Sequence, residues 1–227
     1  MPEIIKYIDL CCGIGGFRVA LNNFEKLQSN FTFKCVLSSD IKTDAILTYN
    51  ENFKESINAI DIYDINDIPV FDMLCAGFPC QPFSSAGNKE GFEDKKRGGI
   101  IFKVIELCQK YSPRYVILEN VSNLISINDG KDLERIKDEF IKLNYKVSYK
   151  LLNSKDFGVP QSRERVFIVC IKDKEIDLNN IKTKPVVTLE SILDKSDKTT
   201  KLKKDFHDKL INLHNKKPIY GFTPLKL

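Results

Sequence analysis

Cys80 is the residue best placed for covalent chemistry in this 227-residue chain. It lies in the run Gly77-Phe78-Pro79-Cys80-Gln81-Pro82-Phe83-Ser84-Ser85-Ala86-Gly87. The apolar run Phe71 to Ala76 ahead of it predicts a buried strand. Pro79 and Pro82 each fix φ and remove a backbone donor, so the spacing predicts a thiol on a stiff turn at a strand's carboxyl end. Ligands bind at that edge in open α/β sheets. A lone cysteine is more often a plain buried residue, so the weight falls on three other stretches.

The first is Asp9-Leu10-Cys11-Cys12-Gly13-Ile14-Gly15-Gly16-Phe17. A strand, a glycine-rich turn and a helix in succession let backbone come close to a ligand and offer it free N–H groups. Asp9 falls inside the strand's end, where an unpaired carboxylate is costly unless it binds something. The second stretch is Glu119-Asn120-Val121, an acid at the end of another apolar strand. The third is Gln161-Ser162-Arg163-Glu164-Arg165, where two arginines at i and i+2 share one face as a strand begins. Asp40 follows the second strand just over 20 residues beyond the glycines, where a nucleoside-binding βαβ unit holds a ribose. Asp61 has two readings, an acceptor for an adenine amino group or the N-cap of a turn.

The elements that must carry these residues follow from periodicity. Strands are expected at Ile4–Leu10, Phe33–Ser39, Phe71–Ala76, Arg114–Leu118, Tyr145–Leu151 and Val166–Ile171. The first helix should turn Phe17, Ala20, Leu21, Phe24 and Leu27 inward, and the second Ala45, Tyr49 and Phe53. A third covers roughly 99–111, burying Ile101, Val104, Ile105 and Cys108, and a fourth roughly 132–143. Tyr145, Val147, Tyr149 and Leu151 alternate, which predicts one buried face. Strand and helix in alternation give a doubly wound, mostly parallel sheet with one antiparallel strand near the end. The charged, glycine-flanked stretch 88–99 reads as a loop that closes over a site. Short helices are expected at Thr188–Leu193 and Asp205–His214, and His207 and His214 read as surface or packing residues.

Composition is that of a globular protein, 42% hydrophobic and 29% charged. No apolar run reaches the roughly 20 residues of a membrane span, and no signal peptide opens the chain. The seven cysteines lack metal-ligand spacing, so reduced thiols, a cytoplasmic location and no structural metal are expected. Residues 1–172 hold 23 basic and 23 acidic side chains, while 173–227 hold 12 and 8, so the whole net charge of +4 lies in the tail. A weakly basic segment of that kind suits an anionic partner.

Taken in order, these stretches resemble the cytosine-5 DNA methyltransferases: a methyl-donor loop at 9–17, a nucleophile loop at 77–84, an acid motif at 119–121 and an arginine motif at 161–165. The resemblance implies the Rossmann-like fold of S-adenosylmethionine-dependent methyltransferases. It implies a DNA (cytosine-5)-methyltransferase that flips its target base out of the duplex. Cys80 would be the nucleophile, Glu119 would act at ring N3 and the exocyclic amino group, and Arg165 would bind the base carbonyl with Arg163 in support. S-adenosylmethionine, leaving as S-adenosylhomocysteine, would meet Asp9, Cys11, Gly13, Gly15, Gly16, Phe17, Asp40, Ile41, Asp61, Ile62 and Pro79. Gln81, Ser84, Ser85 and Arg97 would face double-stranded DNA. Protection of host DNA from a partner restriction enzyme is the role the family implies.

The sequence also departs from that pattern. The family continues into a target-recognition domain and two further motifs, and residues 173–227 contain neither motif. Ile41 stands where many relatives carry an aromatic residue, and Ala86 replaces a polar one. The expected division is therefore a catalytic domain at 1–172 and a basic tail at 173–227 leading towards a recognition region that is absent or separately encoded on a second polypeptide. A tRNA cytosine-5 methyltransferase and a non-catalytic S-adenosylmethionine-binding relative are the alternative readings. Gly77-Phe78 before Pro79-Cys80, and Ser84 after Phe83, favour the DNA-acting branch over the first.

Overall fold

The computed structural model describes residues 2–27, 30–79 and 99–192. Their core is a six-stranded sheet of β1 (Glu3–Leu10), β2 (Phe31–Ser39), β3 (Met73–Gly77), β4 (Tyr115–Val121), β5 (Lys146–Asn153) and β6 (Glu164–Ile171). The strand order is β2-β1-β3-β4-β6-β5. β1 pairs parallel with β2 and β3, β3 pairs parallel with β4, and β4 meets β6 antiparallel. The helices are α1 (Gly16–Leu27), α2 (Thr43–Phe53), α3 (Gly99–Tyr111) and α4 (Lys131–Lys142). This is the doubly wound, mostly parallel sheet with one antiparallel strand that the alternation predicts.

Compact packing divides the chain into two units, residues 1–151 with 165–180, and residues 152–164 with 181–227. In the first unit the sheet is buried on both faces, as parallel strands require. On one face Ile8, Leu10, Leu74, Ala76, Val116, Leu118 and Ile168 pack with Val104, Ile105 and Cys108 of α3 and Leu133, Ile136 and Phe140 of α4. On the other, Ile5, Tyr7, Met73 and Cys75 meet Phe17 and Leu21 of α1. In the second unit Asn153 Oδ1 accepts from the N–H groups of Lys155 and Arg163, and Asn153 Nδ2 donates to Ser162 Oγ.

Two expectations about faces need correction. In α1 only Phe17 and Leu21 of the expected inward set pack inward, whereas Phe24 is 43% and Leu27 82% exposed. The helix is rotated because Arg18 turns inward, to polar partners described below, and Phe24 settles for an edge contact with Phe33. In β5, Tyr145 is buried but Tyr149 and Leu151 are 41% and 40% exposed. β5 is an edge strand. Ser148 and Lys150, which alternate with those two, are the residues that bond the following chain, to the carbonyls of Ile176 and Leu178. Hydrogen bonding to the chain on one side of the strand, not apolar burial on the other, fixes its outer half. The expected helix at Thr188–Leu193 is a 3-10 turn over Leu189–Ile192, and that at Asp205–His214 lies outside the described residues, as do both histidines.

Tyr145 anchors the end of α4 to the start of β4, since its hydroxyl donates to the Pro113 carbonyl at 2.6 Å in a buried contact. Tyr145→Phe leaves that carbonyl unsatisfied, so a loss of about 1–3 kcal/mol and a fall of several degrees in Tm are expected by calorimetry. An unchanged Tm would remove this contact from the core's account.

Candidate active site

β1, β3 and β4 end side by side, with Asp9, Gly77 and Glu119 among the singled-out residues at that edge. The glycine loop leaves β1 through Cys11 at φ 53°, Gly13 at 54° and Gly15 at 94°. Three hydrogen bonds tie it down: Cys12 N–H to the Ser39 carbonyl at 2.9 Å, Gly15 N–H to the Cys12 carbonyl at 2.9 Å, and Gly13 N–H to Asp40 Oδ2 at 2.8 Å. The second oxygen of Asp40 accepts from Lys42 N–H at 2.8 Å. A β-bulge lets this happen, because the register of β2 on β1 slips between Tyr7 and Ile8. The slip places Ser38 opposite Asp9 and re-aims the strand tip, a common use of bulges beside sites.

Gly15 is where glycine is compulsory. A Cβ there would stand 2.2 Å from Phe53 Cε2 and 3.2 Å from Tyr49 Cδ2, while at Gly13 it would meet nothing. Phe53 and Tyr49 belong to α2, so the loop rests on that helix.

Asp9 lies on the sheet face that α1 covers, two residues from Tyr7. It is fully buried and, among the described residues, neither carboxylate oxygen has a hydrogen-bond partner. Burial pushes its carboxyl up to about 7, with Arg18 opposing the rise and Asp40 adding to it. Burial, and then Asp40 and Asp9, push the Cys11 thiol up to about 12, so it stays protonated at neutral pH. Asp9 is thus a buried carboxyl without a partner, close in sequence to a loop whose Cys12, Gly13 and Gly15 N–H groups are already bonded. Asp61, half-buried, is the N-cap of the 3-10 turn Ile62–Asp64 and accepts from Tyr63 N–H at 3.0 Å, the capping role offered as its second reading. Ile41 is 67% exposed, Pro79 is exposed, and Ile62 is buried in the large core cluster. Phe17 packs with Leu21 on the α1 face and Gly16 is exposed.

The antiparallel β4–β6 pair sets Val121 opposite Arg165 and Glu119 opposite Phe167. Glu119 and Arg165 thus lie diagonally on one face. Arg165 Nε donates to Glu119 Oε1 at 2.8 Å, with the two side chains 21% and 26% exposed. Gly77 of β3 sits between the two halves of the edge: a Cβ there would stand 3.5 Å from Glu119 Oε2 and 3.6 Å from the Cys11 carbonyl. Arg163, in the other unit, is exposed and held through its backbone by Asn153 and Ser154. Cys80, Gln81, Ser84, Ser85 and Arg97 lie outside the described residues.

Two residues escape the sequence reading. Asn120 is 2% exposed, and its Nδ2 donates to the Phe78 carbonyl at 2.9 Å while its Oδ1 accepts from Val121 N–H at 2.8 Å. It therefore fixes the chain at Phe78, one residue before Pro79. The signal was an amide inside an apolar strand, since a buried Asn must find partners. The other is Arg18, which donates to Tyr49 Oη and Glu55 Oε1.

Comparison with known proteins gives the family and the fold. A family model described as C-5 cytosine-specific DNA methylase matches residues 5–224. The chain is 43% identical over 189 residues to Type II methyltransferase M.BanI of Aneurinibacillus aneurinilyticus, covering 82% of the chain and 41% of that protein. It is 39% identical over 177 residues to Type II methyltransferase M.HhaI of Haemophilus parahaemolyticus, covering 77% and 50%. The chain thus spans half or less of the length of these relatives. Among solved structures, a Spodoptera frugiperda DNMT2 mutant superposes with a TM-score of 0.65 at 24% identity, covering 85% of this chain and 60% of that one. A putative DNA modification methyltransferase from an E. coli prophage gives 0.57 at 21%, covering 74% and 47%. At those identities the structures show a shared fold.

Two outcomes follow for the site. Asp9 holds its proton more tightly folded than unfolded, so it leaves stability untouched below about pH 4 and costs progressively more as pH rises towards 7. Asp9→Asn should raise the Tm of the free protein by several degrees at pH 8 and by almost nothing at pH 4, as read by thermal melts across pH. Equal gains at both pH values would assign the effect elsewhere. Gly13→Ala should cost about 1–2 kcal/mol for its backbone angle alone, and Gly15→Ala clearly more, because Phe53 must also move. Chemical denaturation ranks the two, and equal costs would remove Phe53 from the explanation.

Proposed function

The chain belongs to the C-5 cytosine-specific DNA methylase family, and on that footing we propose that it is the catalytic part of a DNA (cytosine-5)-methyltransferase using S-adenosylmethionine. The observation that carries this reading is the contact between Glu119 and Arg165 beside Gly77, where β3 ends three residues before Cys80. An acid and a guanidinium on one face of neighbouring strands can together grip the polar edge of a pyrimidine.

Carbon 5 of cytosine is a poor nucleophile within its aromatic ring. Addition of the Cys80 thiolate at carbon 6 makes carbon 5 enamine-like and able to attack an electrophile. Glu119 acts at ring N3 and accepts from the exocyclic amino group, which keeps negative charge from building on the base. Arg165, a five-donor fork, receives the carbonyl oxygen, and Arg163 supports the loop. Asn120 holds the Phe78 carbonyl and with it the approach to Cys80. A base then removes the carbon-5 proton and the cysteine is eliminated. The target carbon is out of reach in a duplex, so the base is flipped out, and Gln81, Ser84, Ser85 and Arg97 face the DNA.

S-adenosylmethionine, when bound, supplies the methyl group as a sulfonium. The residues present fit it: Asp9 offers an unpaired carboxyl, Gly13, Gly15 and Gly16 offer close backbone, and Asp40 and Asp61 would accept from ribose and adenine with the lone pairs their backbone bonds leave. Cys11, Phe17, Ile41, Ile62 and Pro79 complete the walls. Because the chain matches half or less of its relatives' length, we place the catalytic domain at 1–172 and a basic tail at 173–227. Target recognition then belongs to a further stretch of the same chain or to a second polypeptide, with protection of host DNA as the role.

A duplex carrying 5-fluorocytosine tests the reading, since fluorine at carbon 5 blocks elimination and leaves the enzyme attached. A covalent band that needs S-adenosylmethionine and disappears in Cys80→Ser is expected. Glu119→Gln should slow band formation by about a hundredfold or more. A band formed equally by Cys80→Ser, or formed on tRNA and not DNA, would overturn the proposal.

A further inference from the structure

Arg18 takes no part in the chemistry above, yet three segments of the donor site converge on it. It is the third residue of α1, just beyond the glycine loop, and its side chain is only 17% exposed. Nη1 donates to Tyr49 Oη at 2.9 Å and Nη2 to Glu55 Oε1 at 2.6 Å. The guanidinium lies 4.7 Å from the centre of the Phe53 ring and 5.5 Å from that of Tyr49. Phe53 and Tyr49 meet at a tilt of 56° with centroids 4.7 Å apart, and theirs are the rings against which Gly15 is pressed.

The network reaches the other two segments. Tyr49 Oη and Ser38 Oγ are 2.7 Å apart, which ties Arg18 to the tip of β2 two residues before Asp40. Glu55 starts the segment running from α2 to Asp61. That segment is itself pinned: Glu55 N–H donates to the Asn50 carbonyl, Asn50 brackets Ile57 with both side-chain atoms, and Ile60 N–H donates to the Asp40 carbonyl at 2.9 Å. One guanidinium thus contacts the rings behind the glycine loop, the anchor of the Asp40 turn and the lead into Asp61.

We propose that Arg18 is a positioning residue for the methyl-donor site, locking the glycine loop, the Asp40 turn and the Asp61 segment into one register through Tyr49, Phe53 and Glu55. The proposal rests on the methyl-donor reading of that loop. Arginine is required because its planar fork reaches a phenol and a carboxylate while its face covers a ring, whereas lysine brings a single point charge. The locked loop lowers the entropy that the donor would otherwise have to remove on binding. Loss of the lock should therefore weaken donor binding and leave the chemical step at saturating donor nearly intact.

The test compares wild type, Arg18→Lys, Tyr49→Phe and Glu55→Gln by residue-resolved amide hydrogen exchange on the free protein, and by calorimetric titration with S-adenosylmethionine. Where a preparation is active on DNA, KM and kcat are added. In Arg18→Lys the Gly13 and Gly15 amides should exchange about tenfold faster while those of α3 and β4 keep wild-type rates, and donor affinity should fall about tenfold. kcat should stay within about threefold. Tyr49→Phe and Glu55→Gln should shift the same amides by less, and they carry the test if Arg18→Lys does not fold. Three outcomes overturn the proposal: loop amides and donor affinity unchanged in the variants, exchange faster throughout the sheet and helices alike, or a loss in kcat with KM for the donor unmoved. A wild-type protein that binds no donor while exchanging normally overturns the donor reading, and this inference with it.

Discussion

Both oxygens of one carboxylate are committed to backbone at the corner where β1 and β2 end. Asp40 accepts from Gly13 N–H on one oxygen and Lys42 N–H on the other, each at 2.8 Å. That arrangement lets a loop with three positive-φ residues exist at all, because isolated turns of this kind are entropically costly. Once the loop is closed, α1 must start at Gly16, and Arg18 falls over α2. The bulge in β2 is part of the same constraint, since it turns Ser38 and Asp40 towards the loop. Charge-assisted bonds to backbone amides are about twice as strong as neutral ones, so a single acid can hold a corner that apolar packing alone would leave loose.

The other half of the edge is built by topology. A parallel neighbour on β4 would enter the sheet at the opposite end and bring a different residue beside Glu119. The antiparallel β6 instead delivers the start of its own sequence, Arg165, to the carboxyl end of β4. The same reversal places Arg165 next to the acid. Gly77 is the joint between the halves, within one side chain's width of both Glu119 Oε2 and the Cys11 carbonyl. A side chain on Gly77 would stand between the proposed donor and the proposed base, and glycine leaves that line open.

Much of this was legible in the sequence, and the reason differs by residue. The strands of the first unit announce themselves because they are buried on both faces and read as apolar runs. Glu119 and Arg165 could be assigned to one edge from the strand pattern, but their direct contact depends on an antiparallel register that no local signal carries. The inward face of α1 was misread because helical periodicity treats arginine as solvent-facing, whereas Arg18 is satisfied by a phenol, a carboxylate and a ring. Tyr149 and Leu151 alternate like core residues on an edge strand whose outer half is held by hydrogen bonds to carbonyls. Asn120 illustrates the same blind spot, a polar side chain whose partner lies 42 residues away at Phe78.

Asp9 shows what the fold gives up to keep this corner. A carboxylate buried without partners opposes folding whenever it is ionised, and nothing in β1 requires one there. An apolar residue of similar volume at the end of a parallel strand would pack against Cys75 and the base of α1 at no electrostatic cost. Local rules are broken in this way where a site needs the offending group. On the proposed reading, a ligand of complementary charge would offset that cost, so the residue that weakens the empty fold would strengthen the filled one. Arg18 tempers the charge of Asp9 but is bonded to Tyr49 and Glu55 instead. The corner is therefore tied down in its backbone by Asp40 and left with an unpartnered carboxyl at Asp9, which the proposed methyl-donor reading would set towards a sulfonium.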